Sequence, residues 1–433
     1  MATPVPDLAP AAGPDDAPAP GPDTGPASVP GPRARALDLY RDVHAHPELS
    51  GAEERTARVL ATALEDAGLT VTRGIGGHGV VGVLDNGPGP AVLVRAELDA
   101  LPLREETGLP YASTRTTADG LPVMHACGHD LHLAALAGAA GTLARERSTW
   151  RGRLVVVGQP AEETLEGAAA MVADGLHDVT GPVDAVLAQH SVPLPAGMVA
   201  HGGGPVLAGS ATLAITVHGR GGHAASPHLT VDPAVVAASV VLQLQTVVSR
   251  AASPNEPVVL NVGRLVVDSP PNVVPDTARI ELTVRAVSEG TLERMLERVR
   301  AIVHGQCASA GCPAEPLVVQ THRSPVTQPD AALTATVRAA HERHLGPERV
   351  TWWPPSLATE DVAHLAAGGT PLGYWMLGAV GPRAWARAPG TSALEKLSSL
   401  PANHSPRYAP DAPRALAGGI DALVVAVRAL TPA

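Results

Sequence analysis

The sequence predicts an α/β fold in two parts: a larger domain with a mostly parallel sheet flanked by helices, and a smaller inserted domain. Three observations predict it. Short, almost wholly apolar runs alternate with helical stretches over most of the chain, as in strands buried on both faces of a sheet. Between about residues 203 and 322 the order becomes β-α-β-β-α-β, which is the ferredoxin-like order. The 433 residues are also roughly two to three times the length of a usual domain.

The larger domain is predicted to occupy residues 34–202 and 323–433. Helical periodicity predicts helices at 34–40, 52–67, 131–145, 168–174 and 331–344. Apolar runs predict buried strands at 91–95, 154–158, 185–188 and 372–377. Because strands alternate with helices, most neighbouring strands should run parallel.

The inserted domain is predicted to occupy residues 203–322. Its strand-like runs are 211–218, 258–267, 279–287 and 316–321, and its helical stretches are 233–250 and 292–306. A segment of this length is enough for a domain with its own hydrophobic core.

Residues 1–33 differ in composition from the rest of the chain. They contain ten prolines, and Arg33 is their first positive residue. A secretory signal needs a charged start and an apolar run, and neither is present. The segment is therefore predicted to be a disordered tail outside the fold.

Composition argues against several classes of protein. Charged residues make up 17% of the chain, and we find no run approaching the ~20 apolar residues of a transmembrane helix, so no membrane partner is expected. The formal net charge of −11 argues against nucleic acid as a partner. The three cysteines, Cys127, Cys307 and Cys312, are too few for a disulfide scaffold and favour a reducing compartment, the cytoplasm.

Side chains suited to metal binding or acid–base chemistry follow the four buried strands. They are Glu97, Asp99, Glu162, Glu163, His190 and His404. Ligands of open α/β sheets bind at the carboxyl ends of the strands. The pattern therefore predicts a functional site at one edge of the sheet.

The densest cluster of such residues is HACGHDLH, residues 125–132. Cys127 and His129, separated by one glycine, are suited to binding a metal through sulfur and nitrogen. A structural zinc finger would need a second Cys/His pair at finger spacing, which the sequence lacks. A buried reduced cysteine among surface histidines is the alternative. A nucleophilic Cys127 would need a paired general base, so a metal thiolate is the preferred interpretation.

These residues resemble the M20 metallopeptidases, in particular the amidohydrolase branch of aminoacylases, hippurate hydrolases and auxin-conjugate hydrolases. The resemblance covers about residues 37–430. It rests on nine motifs in the family's order: DVHAHPELSGAE, ELDALPL, MHACGHDLH, QPAEE, QHSVPLPAG, GRGGHAASPH, NVVPD, ATEDV and NHSPRY. The resemblance implies a catalytic α/β domain with an inserted lid that also forms a homodimer.

The resemblance also implies the roles of individual residues. The ligands of two divalent metal ions would be Cys127, His129, Glu163, His190 and His404, with the cysteine bridging. Glu162 would be the general base and Asp99 would orient the site. His223 would act from the lid of a partner subunit.

Two further lid residues are predicted to bind substrate. Arg285 is the cation expected to pair with a substrate carboxylate, with a surface ion pair as the alternative, and Asn272 lies in the NVVPD motif. At two positions the chain departs from the family. Glu97 stands where the family usually has Asp, and Gln189 stands where it usually has Gly. Glu97 is one methylene group longer than Asp, so a different geometry is expected behind the ligands.

The predicted function is metal-dependent hydrolysis of N-acyl amino acids, which releases a carboxylic acid and a free amino acid. Zinc is the expected metal, with manganese or cobalt as alternatives because carboxylate ligands suit them too. An Nε-acyl-lysine deacylase, a hippurate-type hydrolase and an acyl-diaminopimelate deacetylase would share this metal site. A catalytically silent binding protein and a one-metal thiol hydrolase are alternatives from other classes.

Overall fold

The computed structural model describes residues 31–433, apart from the side chain of Ala367. The predicted tail lies almost wholly outside these residues, although a helix already begins at Pro32. The described chain divides into two compact units. Unit 1 comprises the residues up to Gly202 together with Asp330–Trp353 and Gly368–Ala433, and unit 2 comprises Gly203–Pro329 and Pro354–Ala367.

Eleven α-helices lie in the described part of the chain. In chain order, α1 to α11 are Pro32–Ala45, Glu54–Asp66, His129–Arg145, Gly167–Ala173, Leu176–Thr180, Pro233–Thr246, Glu289–Ser309, Ala331–Leu345, Pro382–Arg387, Ala393–Ser399 and Ala412–Leu430. Helices α6 and α7 belong to unit 2, and the others belong to unit 1.

Fourteen strands accompany these helices in the same residues. In chain order, β1 to β14 are Thr70–Ile75, Gly79–Asn86, Ala91–Glu97, Gly152–Gln159, Ala185–Pro195, Val199–Gly202, Gly209–His218, Gly222–His223, Val258–Val266, Val273–Val274, Thr277–Ala286, Leu317–Ser324, Val350–Trp353 and Leu372–Val380. Strands β7 to β12 lie in unit 2.

Unit 1 is built on an eight-stranded sheet of order β1-β2-β4-β3-β5-β14-β6-β13. Its four central strands, β4, β3, β5 and β14, are parallel to one another. All seven residues of β3 are buried, as expected for a strand covered on both faces. Helices α1, α3 and α11 pack together in the same hydrophobic core. The predicted α/β class is confirmed.

Strand β5 is longer than predicted, and this changes the position of one site residue. The apolar run ends at Ala188, but pairing with β14 continues through Ser191 to Pro195. His190 therefore lies within the strand, whereas the sequence placed it after the strand end. Backbone pairing sustains the strand where the apolar pattern stops.

Unit 2 is a four-stranded antiparallel sheet of order β12-β7-β11-β9, with α6 and α7 packed on it. The connection order is the predicted ferredoxin-like one. The unit extends beyond the predicted boundary at residue 322, because β12 continues to Ser324 and Leu207 forms bridges to Thr327 and Ser356. A short ladder of β8 with β10 is a further element that was not predicted.

One helix bears on the expectation that no apolar run is long enough to span a membrane. Helix α6 and the π-helical turn after it, Pro233–Ala251, are long and apolar enough to do so by length and composition, and 28% of the segment is buried. In unit 2, Val236, Val240 and Leu244 of this helix belong to the hydrophobic core. Packing on the sheet thus accounts for one apolar face.

A pair of buried histidines lies in unit 1 between β6 and α8. Nε2 of His341 donates to the carbonyl oxygen of Ala422 at 2.9 Å, so its Nδ1 accepts a hydrogen bond from Nε2 of His201 at 3.0 Å. Burial lowers the pKa of His201 to about 3 and that of His341 to about 4. Both rings are therefore neutral in the folded protein at ordinary pH.

This pair is expected to weaken the fold as the pH falls. Below about pH 6.5 these histidines take up protons in the unfolded chain but not in the folded one, so the free energy of unfolding decreases down to their folded pKa values. Urea unfolding at pH 7 and at about pH 4.5 should show a smaller pH dependence in the double variant His201→Gln/His341→Gln than in the wild type. His177→Gln, at an exposed position of α5 in the same unit, is the control. An unchanged pH dependence in the double variant would contradict this assignment.

Candidate metal centre

The residues predicted to bind the metals or to act beside them all lie in unit 1, on or just after three central strands, at the start of one helix and in one loop. Asp99 follows β3, Glu162 and Glu163 follow β4, and His190 lies in β5. Cys127 precedes α3. His129 is the first residue of α3, and His404 lies in the loop between α10 and α11.

Gly128 makes the turn between Cys127 and His129. Its φ of 84° lies in the left-handed region, and a Cβ at this position would lie 2.4 Å from Oγ of Ser191. Only glycine satisfies both conditions. The chain can therefore bring the thiol and the imidazole to the same site from adjacent positions.

Three sets of potential ligand atoms consist wholly of unit 1 residues, each with its atoms within 4.8 Å of one another. The sets are Cys127 with His129 and His190, Cys127 with Glu163 and His404, and His129 with Glu162 and Glu163. Every predicted ligand is present in at least one set. The overlapping sets describe one continuous centre.

Hydrogen bonds fix the histidine rings so that one nitrogen of each faces the centre. Nδ1 of His129 donates to the carbonyl and carboxylate oxygens of Asp99 at 2.9 and 3.1 Å. Its Nε2 lies 3.6 Å from Glu162 and 3.8 Å from Glu163. Nδ1 of His190 donates to the Ser191 carbonyl, and its Nε2 lies 3.4 Å from Sγ of Cys127. A bond at the outer nitrogen that orients the inner one is typical of histidines that bind metals.

Two buried atoms at this centre lack a hydrogen-bond partner among the described residues. They are Nε2 of His129 and Oε1 of Glu163. Leaving buried polar atoms unsatisfied costs about 1–3 kcal/mol each. A divalent cation would satisfy a lone pair on both atoms, so the residues present fit a metal.

The electrostatics of the centre also favour a positive charge. Hydrogen bonds to Cys127 and Glu163 raise the pKa of His404 to about 10. Burial alone would lower the pKa of His129, but Cys127 and Asp99 raise it well above its usual value. Burial raises the pKa of the Cys127 thiol. Asp99 and Glu163 thus stabilise cations here, which is the property a metal site requires.

Residues from the segment before α2 hold the loop that carries Glu162 and Glu163. Oδ2 of Asp99 accepts hydrogen bonds from Oγ of Ser50 at 2.7 Å and from the amide of Glu163 at 2.9 Å. The buried carboxylate of Glu53 accepts one from the amide of Ala161 at 2.8 Å. These contacts join the motif HPELSGAE to the motif QPAEE.

The backbone of the centre is strained. Among residues 31–433, the non-glycine residues with positive φ are Ala161 at 50°, Leu165 at 59° and His404 at 67°. Ala161 and Leu165 flank the pair of glutamates, and His404 is itself a potential ligand. Such strain persists at functional sites where the surrounding structure holds it.

Sequence reasoning did not single out Asn403. Its Nδ2 donates to the carbonyl oxygens of Cys127 at 2.9 Å and of Ser191 at 3.0 Å, which ties the His404 loop to the loop of the thiol. Ser50 and Glu53 were missed in the same way. All three lie in motifs that the sequence displays, but the partners of Asn403 and Glu53 are distant backbone groups that leave no pattern of their own.

The unusual Glu97 is accommodated behind the ligands. Its carboxylate pairs with Arg95 and lies 2.8 Å from Nδ1 of His132. The other nitrogen of His132 lies 2.9 Å from Oγ of Ser191. Glu97 thus supports the strand that carries His190 without entering the ligand sets.

The three predicted site residues outside unit 1 lie in unit 2. His223 pairs with Val273 in the β8–β10 ladder, and the amide next to it, of Ala224, donates to the Asn272 carbonyl at 3.0 Å. Arg285 lies on β11, and its Nη1 donates to the carbonyl of Leu357 at 3.1 Å. The structure brings His223 and Asn272 together and places Arg285 on the sheet.

Comparison with known proteins leads to the same family as the motifs. Residues 93–400 match the model of peptidase family M20/M25/M40. The chain is 36% identical to N-acetyl-L-cysteine deacetylase of Bacillus subtilis over 76% of each chain, and 34% identical to IAA-amino acid hydrolase ILR1-like 2 of Arabidopsis thaliana over 76% of this chain and 74% of that one.

A solved structure shares the fold over nearly the whole length. It is that of the Bacillus subtilis YXEP protein, a dinuclear metal binding peptidase from the M20 family, with a TM-score of 0.73, 26% identity, and coverage of 92% of this chain and 98% of that one. The resemblance read from the motifs is confirmed. The chain belongs to peptidase family M20/M25/M40 and is a metal-binding hydrolase of amide bonds.

Proposed function

We propose that this enzyme hydrolyses the amide bond of N-acyl α-amino acids, releasing a carboxylic acid and a free amino acid. The observation that carries the proposal is the position of Glu162. The residue is 5% exposed, and its Oε2 lies 3.6 Å from the unsatisfied Nε2 of His129. An acid–base group next to a cation site is the arrangement that amide hydrolysis by water needs.

Two divalent ions would be held by Cys127, His129, Glu163, His190 and His404. Zinc is the metal we propose, because a thiolate and imidazoles suit it. When bound, the metals would supply Lewis acidity to the scissile carbonyl and lower the pKa of the attacking water. Cys127 belongs to two of the ligand sets, which supports its assignment as a metal ligand.

Glu162 would take the proton from the attacking water and later donate it to the leaving nitrogen. Although the two residues are adjacent, they have different tasks: Glu162 transfers protons and Glu163 binds metal. The amide of Glu163 is held by Asp99, and its Oε2 lies 3.4 Å from Nε2 of His404, which favours a ligand role. Asp99 would keep His129 in the tautomer whose Nε2 accepts a cation.

Substrate recognition is assigned to unit 2. His223 would donate a hydrogen bond to the developing oxyanion. Arg285 would pair with the substrate carboxylate, and Asn272 would bind substrate beside His223. The free thiols of the chain support the cytoplasm as the compartment.

Substrate screening tests the proposal. The enzyme loaded with zinc, manganese or cobalt is assayed with N-acetyl and N-benzoyl α-amino acids and with Nε-acyl-lysine. We expect α-acyl substrates to be cleaved and a chelator to abolish the reaction. Cleavage of Nε-acyl-lysine alone would replace the α-acyl assignment. No hydrolysis of any substrate by the metal-loaded protein would favour a silent binding protein.

We also propose that the enzyme is a homodimer formed through unit 2. Val235 and Leu242 of α6 are 66% and 72% exposed, and Leu265 on the edge strand β9 is 47% exposed. An apolar helix face next to an unpaired strand edge suits pairing with a second copy. In this dimer His223 of each chain would serve the metal centre of its partner.

Subunit mixing tests the shared site. His223→Ala and Glu162→Gln are each expected to be inactive alone. After subunit exchange in equal amounts, about a quarter of the wild-type activity should return, because half of the dimers then carry one complete site. If mass measurements show that exchange has occurred and no activity returns, His223 does not act across the interface.

A further inference from the structure

Helix α7 ends in a Schellman motif whose two closing positions are both cysteines. The amide of Cys312 donates to the carbonyl of Cys307, and the amide of Gly311 donates to that of Ala308, both at 3.1 Å. Gly311 has the left-handed φ of 70° that the motif requires. In this motif the side chains at the positions of Cys307 and Cys312 come into contact.

The contact brings two free thiols together. Cys307 and Cys312 are unbridged, and Cys312 packs against the core cluster to which Cys307 belongs. Two thiols that this helix-end motif brings into contact need little movement to reach an S–S bond of about 2.05 Å. Among the described residues, no set of three potential ligand atoms includes either thiol. A dithiol, rather than a metal site, is the chemistry present.

The two thiols differ in their access to solvent. Cys307 is 2% exposed and belongs to the core of unit 2, and burial and the neighbouring Cys312 raise its pKa to about 12. Cys312 is partly exposed. The ion pair between Nδ1 of His304 and Oε2 of Glu315, at 2.7 Å, spans the same end of the helix. Cys312 is thus the thiol that an oxidant in solution reaches first.

We propose that Cys307 and Cys312 form a reversible dithiol–disulfide pair that is oxidised by a small peroxide. The Cys312 thiolate attacks the peroxide, the O–O bond breaks, and a sulfenic acid forms. The Cys307 sulfur then attacks the Cys312 sulfur, the S–O bond breaks, and the hydroxyl group leaves as water with the proton of the Cys307 thiol. The two cysteines lose two electrons and two protons, and hydrogen peroxide is reduced to two molecules of water.

The disulfide would close a short loop at the end of α7 and fix its last turn to residue 312. A dithiol reductant would reopen it. The site is separate from the metal centre in its residues, since the thiol of that centre is Cys127. The proposal therefore does not depend on the substrate of the enzyme.

Peptide mapping of the full-length, metal-loaded enzyme tests the pair. The protein is treated with hydrogen peroxide or left untreated, unfolded in iodoacetamide and digested with trypsin. Residues 301–323 form one tryptic peptide, because no lysine or arginine lies between Arg300 and Arg323. We expect two alkylations in the untreated sample. After peroxide we expect none, a mass lower by two hydrogen atoms than the unalkylated peptide, and full reversal by dithiothreitol.

Single variants identify the roles of the two thiols. In Cys312→Ser, Cys307 should stay alkylatable after peroxide because it is buried. In Cys307→Ser, Cys312 should gain oxygen atoms because no second thiol resolves its sulfenic acid. Two alkylations in the peroxide-treated wild type would overturn the proposal. So would oxygen gain at Cys312, or a disulfide between Cys127 and either cysteine, in place of the internal bond.

Discussion

Glu162→Gln is expected to lower kcat by at least about 10²-fold, the usual contribution of a general base, while the metal content stays unchanged. Glutamine keeps the size of the side chain but cannot take a proton from water. Glu162 is 5% exposed, so bulk water cannot easily replace it. Steady-state kinetics and elemental analysis of the same preparation measure both quantities.

The matched control is Glu166→Gln, the same change at an exposed position of the same loop. It should leave kcat within a few-fold of the wild type, since surface substitutions away from a site have small effects. More than a tenth of wild-type activity in Glu162→Gln would remove this residue from the role of base. A loss of metal in that variant would instead make it a ligand.

Cys127→Ser is expected to lose about one metal equivalent per chain together with most of the activity, because a hydroxyl is a much poorer ligand for zinc than a thiolate. The fold should persist, since the residue lies just before α3 and the new side chain is smaller. Elemental analysis, activity and circular dichroism of one sample separate these effects.

Cys307→Ser supplies the control for this second prediction. It makes the same change at another buried thiol, in unit 2, and should leave the metal content unchanged. If Cys127→Ser retains its full complement of metal, the thiol is only a buried side chain, and the overlapping ligand sets have been misassigned.

The strands that carry the site could be predicted because their burial leaves a plain pattern. Runs such as AVLV, residues 91–94, are apolar on both faces, and a strand found that way also locates the polar residues near its end. The end of β5 could not be found in this way. Its last residues continue the strand through pairing with β14, and the identity of the side chains says nothing about that pairing.

The ligands were predictable for a similar reason, whereas the residues that hold them were not. Cysteine and histidine are the side chains that bind zinc best, so a cluster of them is visible in the sequence. Ser50, Glu53 and Asn403 are polar residues of types that serve many roles in proteins. Glu53 and Asn403 hold backbone groups more than a hundred positions away in the chain. Only the folded chain shows which of many such residues has that task.

The left-handed conformation of Ala161 bears on how the enzyme could be stabilised. An alanine in this conformation costs about 1–2 kcal/mol, so Ala161→Gly would relieve strain. Glycine also gives the unfolded chain more freedom, which disfavours folding by about 0.4–1 kcal/mol. The two effects largely cancel, so removing the alanine gains little stability. The alanine, however, restricts the backbone immediately before Glu162, so glycine would broaden the range of positions the carboxylate visits. Ala161→Gly would therefore loosen the catalytic carboxylate and add almost nothing to the thermal stability of the enzyme.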